Sequence, residues 1–355
     1  MKERRATSLD IAYRAGVSQS TVSRALRNSP LVTPETRERI HQIAKELNYR
    51  VDKHAASLRS QSSQTLALLL FDDPTSDDSR INPFFLSLLG NITRCASYHG
   101  YDLLLSFQDL ESDWHVDFEL SSRADGIILL GYGDYLSYRE KLEKLNADGA
   151  HFIIWGPRQE GQPGLSLSCD NLRGGYDGAR YLIELGHRKI AFIGDRSEHS
   201  PEFMLRYQGH LQALQEAGIN SVEAPQPEAY NFEQDGYNSV RQLLDTGTSF
   251  TALQCASDLV AVGAIRALQE HGLNVPDDTS VLGFDDISAA SYMHPPLTTI
   301  HQDTLRSSEL LVSKLIAQIN GEEVDSELVI PRLVKRKSCR PPQSRESKAK
   351  NRPKK

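Results

Sequence analysis

Short apolar runs that suit buried strands alternate with helix-like segments through most of this 355-residue chain. The run LALLLF at 66–71 precedes a helix-like segment that begins at Pro83, and a second series of the same kind begins at Asn171. Alternating strands and helices of this length are typical of parallel, doubly wound sheets. Because two such series follow each other, we expect two similar lobes with a ligand cleft at the carboxyl ends of their strands.

The segment TSLDIAYRAGVSQSTVSRAL, from Thr7 to Leu26, instead indicates two short helices joined by a tight turn. Gly16 supplies the positive φ of a helix end, and Ser18 is placed to cap the second helix. The predicted inner face consists of Leu9, Ile11, Ala12, Ala15, Val22, Ala25 and Leu26. The side chains left to point outwards are Gln19, Ser20, Thr21, Ser23 and Arg24.

These outward groups can hydrogen-bond to base edges and phosphates in a major groove. The segment therefore predicts a helix-turn-helix, with the polar surface of an ordinary helical pair as the alternative. A third helix is predicted within Leu31–Tyr49, with Thr33 as its N-cap and Pro34 at its first position. We expect residues 1–50 to form an all-α head.

Residues 51–64 are polar and predict a linker between the head and the body. Within it, a short stretch that can form one or two helical turns includes four candidate DNA contacts, His54, Ala55, Leu58 and Arg59. Leu58 is either an exposed leucine without a role or a wedge inserted between base steps in the minor groove.

Charge is distributed unevenly along the chain, whose formal net charge is −7. Residues 1–60 carry a net charge of +6 and residues 335–355 one of +9, whereas residues 61–334 carry −22. A basic head on an acidic body favours nucleic-acid binding at one end of the molecule. Residues 339–355 are rich in Pro, Lys, Arg and Ser and predict a disordered tail, which either adds nonspecific attraction to DNA or has no function.

Several protein classes are disfavoured by what the sequence lacks. It contains no run of 18 apolar residues, so we expect no membrane span, and no apolar segment follows MKERRATSLD, so we expect a cytoplasmic protein without a signal peptide. Its four cysteines are scattered, which indicates buried thiols in a reducing compartment. Motifs of nucleotide binding, hydrolysis and metal binding are missing, so we expect no enzyme activity, no cofactor and no metal.

Several segments, in this order and spacing, resemble the lactose repressor (LacI/GalR) family of bacterial transcription regulators, and the resemblance covers about residues 7–338. Beyond Thr7–Leu26, they are AASLR (55–59), NPFF (82–85), CDNLRGG (169–175), LGHRKIAFIG (185–194), CASDLVAVGA (255–264), VLGFDD (281–286) and PLTTI (296–300). The resemblance implies an α/β fold in which a two-lobed, periplasmic-binding-protein-like body follows the helix-turn-helix head.

The resemblance also implies partners and DNA-contacting residues. Gln19, Ser20 and Arg24 match base-reading positions, and Leu58 matches the leucine of a hinge helix that wedges into the central step of a palindromic operator. The positions that match phosphate contacts or supports of the helix are Thr7, Ser18, Thr21, Ser23 and Asn28. Two-fold symmetric DNA requires two heads, so we expect a homodimer. The sequence shows no C-terminal helix with heptad repeats that could tether two dimers, which favours the dimer over a tetramer.

In the body, the resemblance places a small-molecule effector between the lobes. Arg206 matches an arginine that grips effector oxygens, Asp285 matches an aspartate that accepts from ligand hydroxyls or N–H groups, and Phe84 and Phe232 match aromatic walls. Glu202 and Asp170 are lesser candidates. The alternatives are a surface ion pair for Arg206, a cap of the following turn for Asp285 and a core position for Phe84.

Two departures from the family pattern bear on the ligand. Ser257 and Asp258, two further effector candidates, stand where the family often has Asn-Asp, and serine cannot make a two-point contact. Trp155 ends a predicted strand at the cleft, where an indole could stack on a sugar ring.

We predict a body of residues 65–338, with lobe one at about 65–165 and 298–326 and lobe two at about 166–297 and 327–338.

The sequence therefore predicts a DNA-binding transcription regulator, a repressor of carbohydrate genes, controlled by a sugar or glycoside. A nucleoside or purine is the alternative effector. The competing classes are an enzyme on a doubly wound fold, which no motif supports, and a transport-type sugar-binding protein, which the basic head disfavours.

Overall fold

The computed structural model describes residues 6–26, 28–49, 62–70, 81–108, 111–131, 135–197, 200–222 and 233–343. The chain divides into two compact units, residues 1–63 and 64–355. Among the described residues, no helix is long and apolar enough to cross a membrane.

The head contains helices α1 (Ser8–Ala15), α2 (Gln19–Leu26) and α3 (Pro34–Glu46). Thr7 and Asp10 form a capping box on α1, Gly16 ends this helix with φ 63°, and Thr33 caps α3. The small core is made of Ile11, Ala12, Ala15, Val22, Ala25, Val32, Ile40 and Ala44. Leu9 was predicted to face this core but is 61% exposed, because the buried face of α1 runs through Ile11, Ala12 and Ala15 instead.

The first sheet of the body has six parallel strands in the order β10-β5-β4-β3-β1-β2. They are β1 (Thr65–Leu70), β2 (Asp102–Phe107), β3 (Gly126–Leu130), β4 (Phe152–Trp155), β5 (Leu165–Cys169) and β10 (Glu327–Val329). Alternate residues of β1 face opposite layers. Leu66, Leu68 and Leu70 pack with helix α4 (Pro83–Tyr98) and α11 (Thr304–Ile319). Ala67 and Leu69 pack against the other layer, a π-helix (His115–Leu120) and α5 (Tyr135–Ala147).

Within the described residues, the second sheet has five strands in the order β11-β9-β8-β7-β6, in which β11 runs antiparallel to β9. They are β6 (Ile190–Ile193), β7 (Ala252–Cys255), β8 (Ser280–Asp285), β9 (Thr298–His301) and β11 (Arg332–Val334). Its helices are α6 (Asn171–Glu184), α7 (Pro201–Glu216), α8 (Glu233–Asp245), α9 (Asp258–Glu270) and the short α10 (Ser288–Tyr292). Helix α6 packs on α7, and α8 packs on α9.

Sheet membership corrects the predicted lobe boundaries in three places. Strand β5 pairs with β4, and β10 pairs with β5, so residues 165–169 and 327–329 belong to lobe one. Strand β9 pairs with β8 and therefore belongs to lobe two. The chain thus crosses between the lobes three times: from β5 to α6, from β9 to α11 and from β10 to β11.

The predicted tail also begins too early. Ser338 donates to the carbonyl of Val281 (2.6 Å), the Arg340 N–H donates to Ser280 Oγ (3.0 Å), and His187 Nε2 lies 2.9 Å from the Arg340 carbonyl oxygen. Residues 339–340 are therefore bonded to lobe two rather than part of a free tail. The rest of the predicted tail, beyond residue 343, lies outside the described residues.

Candidate effector cleft and nucleic-acid interface

A cavity of about 60 Å³ lies between the two sheets of the body, at the carboxyl ends of β4, β5 and β8. Its lining includes five predicted effector residues from both lobes, together with Ser257, which was predicted from the family departure. The lining residues are Asn82, Phe84, Phe85, Gly131, Trp155, Gly156, Pro157, Ser168, Cys169, Asn171, Glu202, Phe203, Arg206, Ser257, Asp285 and Gln302. This volume holds only a few water molecules.

Arg206 is fixed in the cavity wall by hydrogen bonds and aromatic faces. Its Nε donates to Asn171 Oδ1 (2.8 Å), and its Nη1 donates to the Ala256 carbonyl (2.5 Å). The guanidinium carbon lies 3.7 Å from the centroid of the Phe284 ring. Because Arg206 is only 4% exposed, the alternative of a surface ion pair does not apply.

Asp285 ends β8 with a φ of 112°, a left-handed backbone conformation that is rare for a non-glycine residue. Its Oδ1 accepts from Gln302 Nε2 (2.7 Å) and lies 3.5 Å from Arg206 Nη1. Burial raises the pKa of Asp285 to about 6, although Arg206 and Gln302 both favour the ionised form. The Asp285 side chain is thus directed at Arg206 and Gln302 and does not cap the following turn.

Aromatic side chains form the wall contributed by lobe one. The ring centroids of Phe84 and Trp155 are 6.0 Å apart at an interplanar angle of 36°, and Phe85 packs edge-on against Phe84 at 5.4 Å. Phe84 belongs both to the core of lobe one and to the cavity lining, so its two predicted roles coincide. Phe232, the other predicted wall residue, lies outside the described residues.

Two other predicted effector residues do not reach this cavity. Asp258 is fully buried and accepts from Thr299 Oγ1 (2.6 Å) and the Ile287 N–H (2.9 Å), and burial raises the pKa of its carboxyl. Asp170 caps α6 by accepting from the Arg173 N–H (3.0 Å) and lines an adjoining cavity of about 360 Å³, which shares Pro157, Cys169 and Asn171 with the first. Asp258 is therefore a core residue in this structure, which corrects its predicted assignment, whereas an effector contact of Asp170 stays a prediction.

The other predicted acidic and hydroxyl groups lie at the cavity. Glu202 is in the first turn of α7, and burial raises the pKa of its carboxyl. Ser257 Oγ caps α9 by accepting from the Val260 N–H (3.2 Å) and still borders the cavity. The sequence analysis missed Asn171, which hydrogen-bonds Arg206, and Gln302, which hydrogen-bonds Asp285. Asn171 directly follows the predicted Asp170, whereas Gln302 follows a strand that was not predicted.

On the head, α2 presents the predicted polar face. Ser18, Ser20 and Arg24 are exposed, while Gln19, Thr21 and Ser23 are half-buried. Ser18 Oγ accepts from the Thr21 N–H (3.2 Å), and Gln19 Nε2 donates to Ser8 Oγ (2.8 Å). Asn28 is exposed with φ 55°, and Thr7 is engaged in the capping box. The predicted linker contacts His54, Ala55, Leu58 and Arg59 lie outside the described residues.

In the part of the chain that the structure describes, no group of three or more His, Cys, Asp or Glu side chains is arranged to hold a metal ion. All four cysteines are free thiols. Cys169 borders the cleft, and burial raises the pKa of its thiol to about 12, so it remains a neutral apolar group there.

Comparison with known proteins matches both units. Residues 7–52 match the family described as bacterial regulatory proteins, lacI family, and residues 179–339 match the periplasmic binding protein-like domain. The chain is 32% identical to the HTH-type transcriptional repressor PurR of Histophilus somni over 94% of its own length and 99% of that protein.

Solved structures match along nearly the whole chain. A lac repressor dimer bound to operator and the anti-inducer ONPF superposes with a TM-score of 0.80 at 26% identity, covering 95% of this chain and 100% of that one. A complex of the transcriptional regulator CelR with cellobiose gives a TM-score of 0.66 at 27% identity, covering 94% and 100%. On the strength of its sequence, its two-unit fold and these matches, the chain belongs to the lacI family of DNA-binding transcriptional repressors.

Proposed function

We propose that this protein is a cytoplasmic repressor of carbohydrate genes whose affinity for a palindromic operator is set by a neutral sugar or glycoside in the cleft. The observation that carries the proposal is the buried Arg206–Asp285 pair, with an Nη1 to Oδ1 distance of 3.5 Å, facing the Phe84–Trp155 wall. A planar fork of donors and a carboxylate acceptor give vicinal hydroxyls two-point partners. Aromatic faces cover the C–H groups of a sugar ring.

The CelR relative, which binds cellobiose in its solved complex, supports a sugar as the ligand class. The same aromatic pair also suits a stacked base, so a nucleoside is the second candidate. The two classes differ in what they need from the pair, since a sugar requires both charged groups, whereas a base gains most from stacking.

The composition of the cleft indicates how ligand binding and DNA binding are linked. Because Arg206 and Asp285 belong to lobe two and Phe84 and Trp155 to lobe one, a ligand in the cleft contacts both lobes. A ligand that binds one arrangement of the lobes more tightly shifts the population toward it. A coupling free energy of about 1–3 kcal/mol between the two sites changes operator affinity by roughly 5- to 150-fold.

On the head, we assign base contacts to Gln19, Ser20 and Arg24, and backbone contacts to the hydroxyl groups around them. For the homodimer, a suitable face lies on lobe one, where edge strand β2 exposes about half of Leu105 and Phe107 and α4 exposes Leu86. Exposed apolar groups on a strand that ends the sheet among the described residues favour association with a second chain.

The test is a thermal-shift screen of the full-length protein against sugars, glycosides and nucleosides, followed by titration of each hit into a binding assay with DNA selected by the protein from random duplexes. A ligand of the folded state raises the melting temperature. A sugar that also changes DNA affinity supports the proposal. A nucleoside hit alone moves the assignment to the second candidate, and sugar binding without any DNA binding favours a transport-type binding protein.

A further inference from the structure

Arg206 and Asp285, the ion pair of the cleft, are each held by an uncharged amide side chain that lies on a segment crossing between the lobes. Arg206 is held by Asn171, at the start of α6 after the β5 crossover, and Asp285 is held by Gln302, directly after β9. Asn171 and Gln302 are 3% and 4% exposed, so neither amide exchanges its partners freely with water.

Asn171 links Arg206 of lobe two to a strand end of lobe one. Its Oδ1 accepts from Arg206 Nε (2.8 Å), while its Nδ2 donates to the Cys169 carbonyl (2.9 Å) and to Ser168 Oγ (3.2 Å). Ser168 and Cys169 belong to β5, in the first sheet. A movement of Arg206 therefore displaces the crossover from β5 to α6, unless Asn171 breaks one of its buried hydrogen bonds. Breaking a buried hydrogen bond is costly.

Gln302 makes the corresponding link for Asp285. Its Nε2 donates to Asp285 Oδ1 (2.7 Å), and its backbone N–H lies 3.4 Å from the Asp285 carbonyl oxygen. The chain continues from Gln302 into α11, which begins at Thr304 and packs on the first sheet. Thr304 Oγ1 accepts from Asn91 on α4, which anchors the start of this helix in lobe one (3.1 Å).

We propose that Asn171 and Gln302 are positioning residues that transmit occupancy of the cleft to the relative orientation of the two lobes. This inference rests on the proposed function, in which the ligand competes for the same atoms. A ligand hydroxyl that donates to Asp285 Oδ1 must share this oxygen with Gln302 and Arg206. A ligand oxygen bound by the Arg206 guanidinium draws the guanidinium away from its present hydrogen-bond partners. The change at Arg206 is passed to the first crossover by Asn171, and the change at Asp285 is passed to the second crossover by Gln302.

The test compares Asn171→Leu and Gln302→Met, which keep side-chain volume and remove the hydrogen bonds, with Gln254→Met as the matched control. Gln254 is equally buried and makes the same kind of bonds, to the Gly175 carbonyl (2.8 Å) and to His210 Nδ1 (2.7 Å), but all three residues lie in lobe two. It therefore reports what the loss of a buried amide costs without a crossover.

The first readout is the dissociation constant of cellobiose measured with and without the selected DNA. The ratio of these constants measures the coupling and is independent of a uniform loss of affinity. We expect the ratio to fall toward 1, by about fivefold or more, in the two crossover variants and to stay at the wild-type value in Gln254→Met. A crossover variant that binds cellobiose more weakly but keeps the wild-type ratio overturns the proposal, because its role is then only structural.

The second readout needs no ligand. Spin labels at Glu140→Cys on α5 and Gln242→Cys on α8, in a background of Cys95→Ser and Cys339→Ser, report the distance between the lobes by pulsed electron resonance. We expect a broader distance distribution in the two crossover variants than in wild type and the control, and an unchanged distribution contradicts the inference. If wild type binds no DNA, or no sugar or glycoside of the screen, the proposed function fails, while this distance comparison still decides the role of the two amides.

Discussion

A methyl group added at Gly175 on α6 would lie 2.0 Å from the carbonyl oxygen of Arg206 on α7. Gly209 on α7 has the reciprocal relationship, since its added Cβ would lie 2.0 Å from the Leu172 carbonyl oxygen. The two helices therefore approach each other through glycine backbone, and this contact sets the position of Arg206 in the cleft. No flexible side chain is available to absorb an added atom at either point.

We expect Gly175→Ala to destabilise the protein by at least about 2 kcal/mol, because the helices must separate to accept the methyl group. Urea denaturation measures this change. Gly90→Ala on α4 is the control, since no atom lies within 4 Å of its added Cβ, and it should stabilise by about 0.5–1 kcal/mol. Equal stability of the two variants would show that α6 and α7 are not held in this close contact.

The guanidinium of Arg206 should be needed for its geometry as well as its charge. Arg206→Lys keeps the positive charge near Asp285 but removes the planar fork and the stacking on Phe284, whose centroid lies 3.7 Å from the guanidinium carbon. We expect ligand affinity to fall by about 10- to 100-fold, corresponding to the loss of a charged hydrogen bond. Isothermal titration with any ligand identified by the screen checks this, and near-wild-type affinity would remove Arg206 from the binding site.

His210 should make the protein less stable in mild acid. It is fully buried, its Nδ1 bonds Gln254 Oε1 (2.7 Å), and burial lowers its pKa from 6.5 to about 4. Below pH 6.5 the imidazole is protonated in the unfolded chain but stays neutral in the folded protein. The contribution of His210 to the free energy of unfolding is therefore complete above pH 6.5 and declines as the pH falls toward 4. The expected loss is about 3 kcal/mol, measured by urea denaturation between pH 7.5 and 4, and His210→Gln should lack this part of the dependence.

Glu119 should have the opposite dependence on pH. Its Oε2 lies 3.5 Å from Nδ1 of both His115 and His151, its Oε1 accepts from the His151 N–H (2.8 Å), and burial raises its pKa from 4.5 to about 7. The protonated form is favoured by folding, so its contribution is complete below 4.5 and is lost as the pH rises through 7.

Glu119→Gln mimics the protonated carboxyl, and we therefore expect it to stabilise the protein by about 1–3 kcal/mol at pH 8. The gain should shrink as the pH is lowered to 5. Melting temperatures of the two proteins across this range test the prediction, and a gain that is independent of pH would assign the effect to packing instead of charge.

Leu58→Ala tests the minor-groove wedge predicted from the linker sequence. We expect affinity for the selected DNA to fall while the salt-sensitive binding to unrelated duplexes persists, because the wedge adds deformation-dependent contacts rather than phosphate contacts. Filter binding or anisotropy at two salt concentrations separates the two terms. Equal loss on both kinds of DNA would refute the wedge.

The parts of the cleft that could be predicted from sequence are those at the ends of recognisable strands. Trp155 and Asp285 follow apolar runs directly, and local pattern fixes where such residues emerge from a parallel sheet. Gln302 escaped prediction because TTIH at 298–301 is too short and polar to be recognised as a strand. Its partner Asp285 lies 17 residues away along the chain, and only the pairing of β8 with β9 brings the two side chains together.

The lobe boundaries failed for a related reason. Strand β10 joins lobe one because Leu328 pairs with Ser168, 160 residues earlier, and no periodicity within either segment encodes that choice. Similarly, Asp258 stands at a position typical of a ligand contact, yet Thr299 and Ile287 claim its oxygens. Sequence pattern assigns a residue to an element, whereas its partners depend on which distant elements become neighbours.

Because the chain passes between the lobes three times, neither lobe corresponds to one uninterrupted stretch of the gene. A single recombination event cannot exchange one lobe for that of a relative, and any cut between residues 65 and 334 separates strands that pair with each other. The head, by contrast, is a continuous segment of 63 residues with its own core. New combinations of operator and ligand can therefore arise by swapping the head at the linker, while ligand specificity itself must change by point substitution within an intact body.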